Sequence, residues 1–306
     1  MGISQYIKEI GRGPRGSKPL TREQAADLFG QLLDGNVTDL EIGAFCLAMR
    51  IKGETPEEMC GFLGAAHSRM ALFPASDRPV IVLPSYNGAR KLPVLTPLLA
   101  LLLAREGLPV LLHGMRTEAR RTLASDVLLA LGVPALTAPE KIATGSVAHI
   151  ETGYLHAALA RLLKVREVVG LRNAGHSIVK LMNPCAGPAV VVTSYTHPEY
   201  YDMLQATFGA LHMTALLSRG LEGEVATDPR RTPRYDAFVA GVHQLLQEQQ
   251  PGTAADVPGL PTEIDIDTTA RYTQDVLDGR LPVPPALAQQ VEHILLLAAQ
   301  TPPHAP

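Results

Sequence analysis

Val80-Ile81-Val82-Leu83, then Ser85-Tyr86-Asn87-Gly88-Ala89-Arg90-Lys91, then LPVLTPLLALLLA over 92–104 and LPVLLH over 108–113: this stretch decides the fold. The first run is short, branched and wholly apolar, as a strand buried on both faces must be. The polar, glycine-bearing run after it is a turn. Leu92 to Ala104 is too short for the roughly 20 residues of a membrane span, and Arg105-Glu106 close it, so it reads as a buried helix. Leu108 to His113 is a second strand. Strand, helix and strand at this spacing make a βαβ unit, which implies a mostly parallel sheet.

Downstream, the pattern predicts a helix over Thr117 to Leu131 ended by Gly132, and a strand over Ala189 to Thr193. It also predicts a helix over His197 to Gly209, a strand over Leu211 to Leu217 and a closing helix over Leu287 to Ala299. Residues 301–306 read as a frayed tail. Upstream, residues 1 to about 73 read as helices. Leu28, Leu32 and Leu33 recur at helical spacing, as do Ile42, Phe45 and Met49. Thr21 with Gln24 and Thr38 with Glu41 have capping-box spacing. Thr55-Pro56-Glu57-Glu58 is a third start, and Gly35 and Gly53 fall where helices should stop. The expected class is α/β: a small helical lobe plus a larger α/β domain with a mostly parallel central sheet.

The chain has 306 residues, 46% hydrophobic and 19% charged, which excludes wholesale disorder. Cys46, Cys60 and Cys185 form no CxxC pair, so neither a disulfide framework nor a cysteine zinc site is expected. The N-terminus has no apolar signal core, and the cytoplasm is the expected location. The net charge of −3 argues against a uniformly basic nucleic-acid coat, but its distribution is uneven. Residues 1–22, 88–121 and 161–180 hold 16 of the 27 Lys and Arg and 4 of the 30 acids, a local charge of +12 against −15 elsewhere. Where such windows meet, a phosphate backbone binds by counterion release. Tyr6 inside these windows and Tyr86 just before the second are the only candidates for base stacking, so backbone binding is indicated and sequence readout is not.

Ligands of open α/β sheets bind beyond the strand C-termini, which directs attention to Ser85–Lys91. One glycine, Gly88, remains there for close backbone approach, with Arg90 and Lys91 beside it. This is either a phosphate contact made by side chains or a solvated turn. His113, at the end of the second strand, has no second histidine or carboxylate at ligand spacing, and reads as a structural histidine rather than a metal ligand. Arg120 and Arg121 stand near an expected helix start, where acids are favoured, so an anion partner would account for them. Arg161 and Lys164 are three apart and share a helical face, with Arg166, Arg172 and Lys180 following.

LTREQAADLFGQLLDGNVTDLEIGAFCLAMRIKGETPEEM (20–59), HGMR (113–116), ASDVLLALGV (124–133) and VREVVGLRN…LMNP (165–184) carry a resemblance. Over most of its length the chain resembles the anthranilate phosphoribosyltransferase family, of glycosyltransferase family 3 and the class III nucleoside phosphorylase fold. The resemblance puts that family's GTGGDG loop, which holds phosphoribosyl diphosphate, on Ser85 to Arg90, where only Gly88 is kept. The HGN asparagine falls on Met115, the SSK contacts on Ala119, Arg120 and Arg121, and the GP of NLLGP on Val179-Lys180. The magnesium-binding Asp-Glu pair aligns near Leu221-Glu222-Gly223-Glu224, and Arg166 matches the substrate-contacting arginine.

Together with SYNGARK and LTPLLALLLAREGLPVLLHG, these departures resemble the YbiB subgroup. That resemblance implies non-specific DNA and/or RNA binding, no phosphoribosyl transfer, and a homodimer formed through the helical lobe. The domains it implies are a dimerisation lobe over 1–73, with helices from about 152–184 packing on it, and an α/β domain over 78–306. The expected phosphate contacts are Arg90, Lys91, Arg116, Arg120, Arg121, Lys164, Arg166, Arg172 and Lys180. They surround a degenerate active-site loop of Ser85, Tyr86, Asn87 and Gly88, with His113. No membrane partner, catalytic residue, metal or cofactor is expected. Mg²⁺ enters only under the alternative of an active glycosyltransferase family 3 enzyme. A second alternative is a protein-interaction scaffold.

Overall fold

Thr21, Thr38 and Thr55 each cap a helix. Each hydroxyl accepts the backbone N–H three residues on, and Gln24, Glu41 and Glu58 reach back to the cap's own N–H. The helices they start are α2 (Arg22–Leu33), α3 (Asp39–Lys52) and α4 (Pro56–His67), preceded by the short α1 (Ser4–Ile10). Phe29, Phe45 and Phe62 meet in the middle of this bundle, with ring centroids 5.1 to 6.2 Å apart. Gly53 ends α3 at φ +80°, a conformation that costs a side-chain-bearing residue more than glycine. The structure is a computed structural model and describes residues 2–13, 15–254 and 256–302. Most of the expected frayed tail lies outside these residues.

The α/β domain runs β1 (Val80–Ser85), α5 (Thr96–Arg105), β2 (Val110–Gly114), α6 (Ala124–Ala130), β3 (Ala135–Leu136) and β4 (Val147–Glu151). The chain then forms α7 (Thr152–Leu155), α8 (Ala157–Val169) and α9 (Gly175–Ile178), and returns as β5 (Ala189–Tyr195), α10 (Tyr200–Ala210) and β6 (Ala215–Arg219). It closes with β7 (Tyr235–Val239), β8 (Val242–Gln247), α11 (Ile266–Leu277) and α12 (Pro285–Gln300). The eight strands form one sheet in the order β3-β4-β2-β1-β5-β6-β7-β8. Pairing is parallel from β3 to β6 and antiparallel across β6-β7-β8.

Alternation along the strands shows that both faces are covered. Val80, Val82, Leu111, Val191 and Leu217 join one core, which also holds the apolar faces of the bundle, α8 and α10. Their neighbours Ile81, Leu83, Val110, Val190, Val192 and Leu216 join the other, beneath α5, α11 and α12. Doubly covered strands need apolar residues at every position, which explains the unbroken VIVL run. Among the described residues no helix is long and apolar enough to cross a membrane. The three cysteines are free thiols in the interior.

The structure corrects one expected helix. Residues 117–123 are not helical, and α6 begins only at Ala124. Thr117 instead donates its hydroxyl to the Tyr86 carbonyl at 3.0 Å, and Thr122 pairs in a bridge with Ala89. Arg120 and Arg121 therefore stand on a loop, and the reasoning from a helix dipole does not apply to them. The strand expected over Leu211 to Leu217 starts later, at Ala215.

Candidate functional site

The strand order reverses at β1 and β5, since β2 and β4 lie on one side of β1 while β5 and β6 lie on the other. A crevice opens at such a point beyond the strand C-termini. Ser85–Lys91 leaves the end of β1 at this point. Gly88 has φ +66°, and a Cβ there would stand 2.6 Å from the Thr122 carbonyl oxygen, so the retained glycine is required by both conformation and space.

The loop already holds an anion. The Glu224 carboxylate, buried, accepts the backbone N–H groups of Asn87 at 2.9 Å and Gly88 at 2.8 Å. It also accepts the hydroxyls of Ser85 at 2.6 Å and Thr96 at 3.0 Å. Glu222 does the same further along, accepting the N–H groups of Arg90 at 2.8 Å and Lys91 at 3.2 Å. Glu222 sits at φ +55° and Gly223 at φ +82°, which brings both carboxylates onto one loop. The loop's N–H donors and both carboxylates are thus engaged with one another. Among the described residues no group of three or more His, Cys, Asp and Glu is placed to hold a metal.

Tyr86 and His113 belong to the interior. Tyr86 is 2% exposed, and its hydroxyl lies 2.8 Å from both His113 Nδ1 and Thr152 Oγ1. Tyr86, one of the two stacking candidates in the sequence, therefore offers no ring face to a base. Burial pushes the His113 pKa down to about 3, so it is a neutral structural histidine.

Three of the expected phosphate contacts converge on one side chain. Glu118 accepts from Arg166 at 2.5 Å and Arg121 at 2.8 Å, with Arg172 at 3.7 Å. Desolvation raises the Glu118 pKa, but the hydrogen bonds and charges of Arg166 and Arg121 outweigh it and hold it at about 2. Arg172 also donates to the Asn87 side-chain oxygen at 2.8 Å, joining this cluster to the loop. Lys180 donates to the Gly223 carbonyl at 3.0 Å. Burial lowers its pKa to about 8, opposed by the Glu224 charge and assisted by Arg172.

The remaining expected contacts are more dispersed. Arg90 faces Glu222 at 3.5 Å, and Arg116 pairs with Asp126 at 2.5 Å while donating to the Arg121 carbonyl at 2.9 Å. Lys91, Arg120 and Lys164 are exposed. The windows 88–121 and 161–180 thus meet at Glu118, and Arg172 reaches on to Asn87 beside the first. The window 1–22 does not join them through its helix, because α1 packs on α3 and Arg12 pairs with Glu9. Sequence reasoning missed Glu118 as the centre of the cluster. Its signal was one acid inside MRTEARR.

Residues 4–70 match the family described as the glycosyl transferase family, helical bundle domain. The chain is 36% identical to the protein YbiB of Escherichia coli K12, over 98% of this chain and 95% of that protein. It is 32% identical to the anthranilate phosphoribosyltransferase of Methylobacterium nodulans, covering 90% of this chain and 82% of that enzyme. Among solved structures, the fold is similar to anthranilate phosphoribosyltransferase from Thermus thermophilus, with a TM-score of 0.73 at 21% identity over 97% of this chain and 86% of that one. It is also similar to the Saccharomyces cerevisiae enzyme in complex with PRPP and Mg, with a TM-score of 0.70 at 13% identity over 97% and 89%.

Proposed function

The chain belongs to the family of YbiB and the anthranilate phosphoribosyltransferases, and on that scaffold we propose a homodimeric protein that binds DNA or RNA by the phosphate backbone, without reading base sequence. The observation that carries this reading is the meeting of Arg121, Arg166 and Arg172 on the single carboxylate of Glu118. Three guanidinium groups against one carboxylate leave a net positive cluster, and guanidinium forks match phosphate oxygens. The exposed Arg120 adjoins this cluster, Lys91 adjoins the loop, and Lys164 shares α8 with Arg166. The Glu224 carboxylate on the N–H groups of Asn87 and Gly88 speaks against phosphoribosyl diphosphate as the ligand.

The dimer reading is supported by an apolar stripe on the bundle. Leu40, Leu47 and Ile51 recur along one side of α3, with Leu40 85% and Ile51 61% exposed. Val168, at the end of α8, is 90% exposed. Contiguous exposed aliphatic residues of this kind mark a protein contact. A second copy doubles the basic surface presented to a long strand.

The test is fluorescence anisotropy of a labelled oligonucleotide at low and physiological salt, beside a phosphoribosyl transfer assay. The reading expects affinity to fall steeply with salt, with a slope of about 0.9 per phosphate neutralised on duplex DNA. Salt-independent binding, or magnesium-dependent release of diphosphate, overturns it.

A further inference from the structure

Beyond Arg172 and Lys180 the crevice continues into a cleft of about 400 Å³, set between the end of α3, α9, the C-terminal end of β5 and the start of α10. Its volume falls in the range of small-molecule sites and exceeds what an inorganic phosphate fills. Two polar atoms of lining residues have no hydrogen-bond partner within the protein, His176 Nε2 and Thr193 Oγ1. The two residues are only 8% and 1% exposed. Buried polar atoms are nearly always paired, so an unpaired couple on one cleft calls for a ligand atom.

The chemistry of each wall narrows the ligand. His176 Nδ1 lies 3.3 Å from both the backbone nitrogen and the side-chain oxygen of Asn173, which leaves Nε2 as the ring atom without a partner in the protein. Burial, then the charges of Arg172 and Arg166, keep the ring neutral by lowering its pKa to about 3. Beside it, Arg172 and Lys180 supply positive charge and Thr193 a hydroxyl. Tyr195 and Tyr200 line the cleft on the β5 and α10 side. Glu54 and Glu199 also line the cleft, which disfavours a second anionic group and suits hydroxyl or amino donors. The ligand therefore has one anionic end, a flat ring and neutral donors.

We propose that this cleft takes one unpaired nucleotide, its phosphate at Arg172 and Lys180 and its base against Tyr195 and Tyr200. This deepens the nucleic-acid reading and rests on it where the nucleotide comes from a strand. A free mononucleotide has the same chemistry. A duplex does not supply it, because its bases are stacked and paired, and extruding one costs free energy.

The experiment has two arms. Anisotropy compares a labelled single strand with its duplex, and calorimetry titrates uridine 5′-monophosphate against inorganic phosphate. The proteins are wild type, Thr193→Val and Tyr200→Ala, each first checked for an unchanged melting temperature. The expected result is about fivefold or tighter binding of the single strand, in line with stacking of one base. That preference disappears in both variants while duplex affinity stays the same. Saturable binding of the monophosphate, weaker or lost in the variants, with no strand bound by wild type, supports the cleft with a free nucleotide as its ligand and overturns the nucleic-acid reading alone. Equal affinity for single strand and duplex with no monophosphate binding overturns the cleft while leaving the reading intact. So does retention of the preference in both folded variants.

Discussion

The carboxylate of Glu224 lies 2.8 Å from the backbone nitrogen of Gly88 and accepts its N–H, across 136 residues of sequence. The loop after β1 is thereby closed on an anion supplied by the same chain. Four donors point at this carboxylate, from Ser85, Asn87, Gly88 and Thr96. An anion cradle and the anion that fills it have become part of one folded unit, which couples the segment after β6 to the start of α5.

Removing that carboxylate should therefore be felt as lost stability. Glu224→Ala leaves buried donors without an acceptor, each costing about 1–3 kcal/mol. Thermal unfolding of the variant is expected well below wild type, by at least about 2 kcal/mol. Added inorganic diphosphate should restore part of the loss in Glu224→Ala and leave wild type unchanged, because only the variant has free donors. Equal stabilisation of both proteins by diphosphate would show that Glu224 does not hold the loop in solution.

How much of this was legible in the sequence follows the range of the contacts. The caps at Thr21, Thr38 and Thr55 were readable because a capping box is closed within three residues. β1 was readable because both its faces are buried. The segment 117–123 was misread because its helical composition is overridden by distant partners, including the Thr117 hydroxyl bond to the Tyr86 carbonyl and the Ala89–Thr122 bridge. The hairpin of β7 and β8 was missed. Its turn uses Ala240 at φ +47° with Gly241 at φ +81°, and alanine gives a weaker signal there than asparagine. Most of the cations brought together at the site were named from charge segregation. Their partner Glu118 was not recognised, since Arg166–Glu118 spans 48 residues, and Glu224 was named only in the aligned metal pair, since its contact with Asn87 spans 137.

Glu118 competes with phosphate for three arginines. Glu118→Gln keeps the side chain's shape and removes its charge. Oligonucleotide affinity should rise a few-fold, and the salt slope should steepen by about 1 as one more phosphate is engaged. Weaker binding in the variant would mean that Glu118 serves to organise the arginines instead.

The same residue has a signature in folding. Its folded pKa of about 2 lies below the ordinary 4.5, so its stabilising contribution is present above pH 4.5 and is lost as pH falls toward 2. Denaturant unfolding should show wild type losing stability across that window, and Glu118→Gln should show a smaller loss. Parallel curves for the two proteins would contradict the arginine cluster as described.

The apolar stripe on α3 gives a prediction about assembly. Leu40→Glu with Ile51→Glu places charge on the most exposed part of the stripe, where neither side chain supports the bundle core. Light scattering after size exclusion should find wild type at twice the chain mass and the double variant at the chain mass, with an unchanged melting profile. Affinity for a long oligonucleotide should drop more than affinity for a short one, because only the long strand reaches both copies. A wild type that elutes as a monomer at micromolar concentration would end the dimer reading.

Lys180 ties binding to pH. Arginines stay charged throughout the accessible range, so a face made only of arginine would bind equally at pH 7 and pH 9. Lys180 is different, because burial has brought its pKa down to about 8. A strand phosphate beside it favours the protonated amine, so binding above pH 8 must be accompanied by uptake of a proton. Affinity should therefore weaken as pH rises from 7 to 9, approaching tenfold per pH unit well above the pKa for a single coupled proton. Lys180→Gln should bind more weakly at pH 7 and show a flatter profile. Anisotropy titrations at three pH values test this. Calorimetry in buffers of different ionisation enthalpy counts the proton directly. A wild-type profile as flat as that of the variant would remove Lys180 from the phosphate contacts and leave the arginines around Glu118 as the binding face.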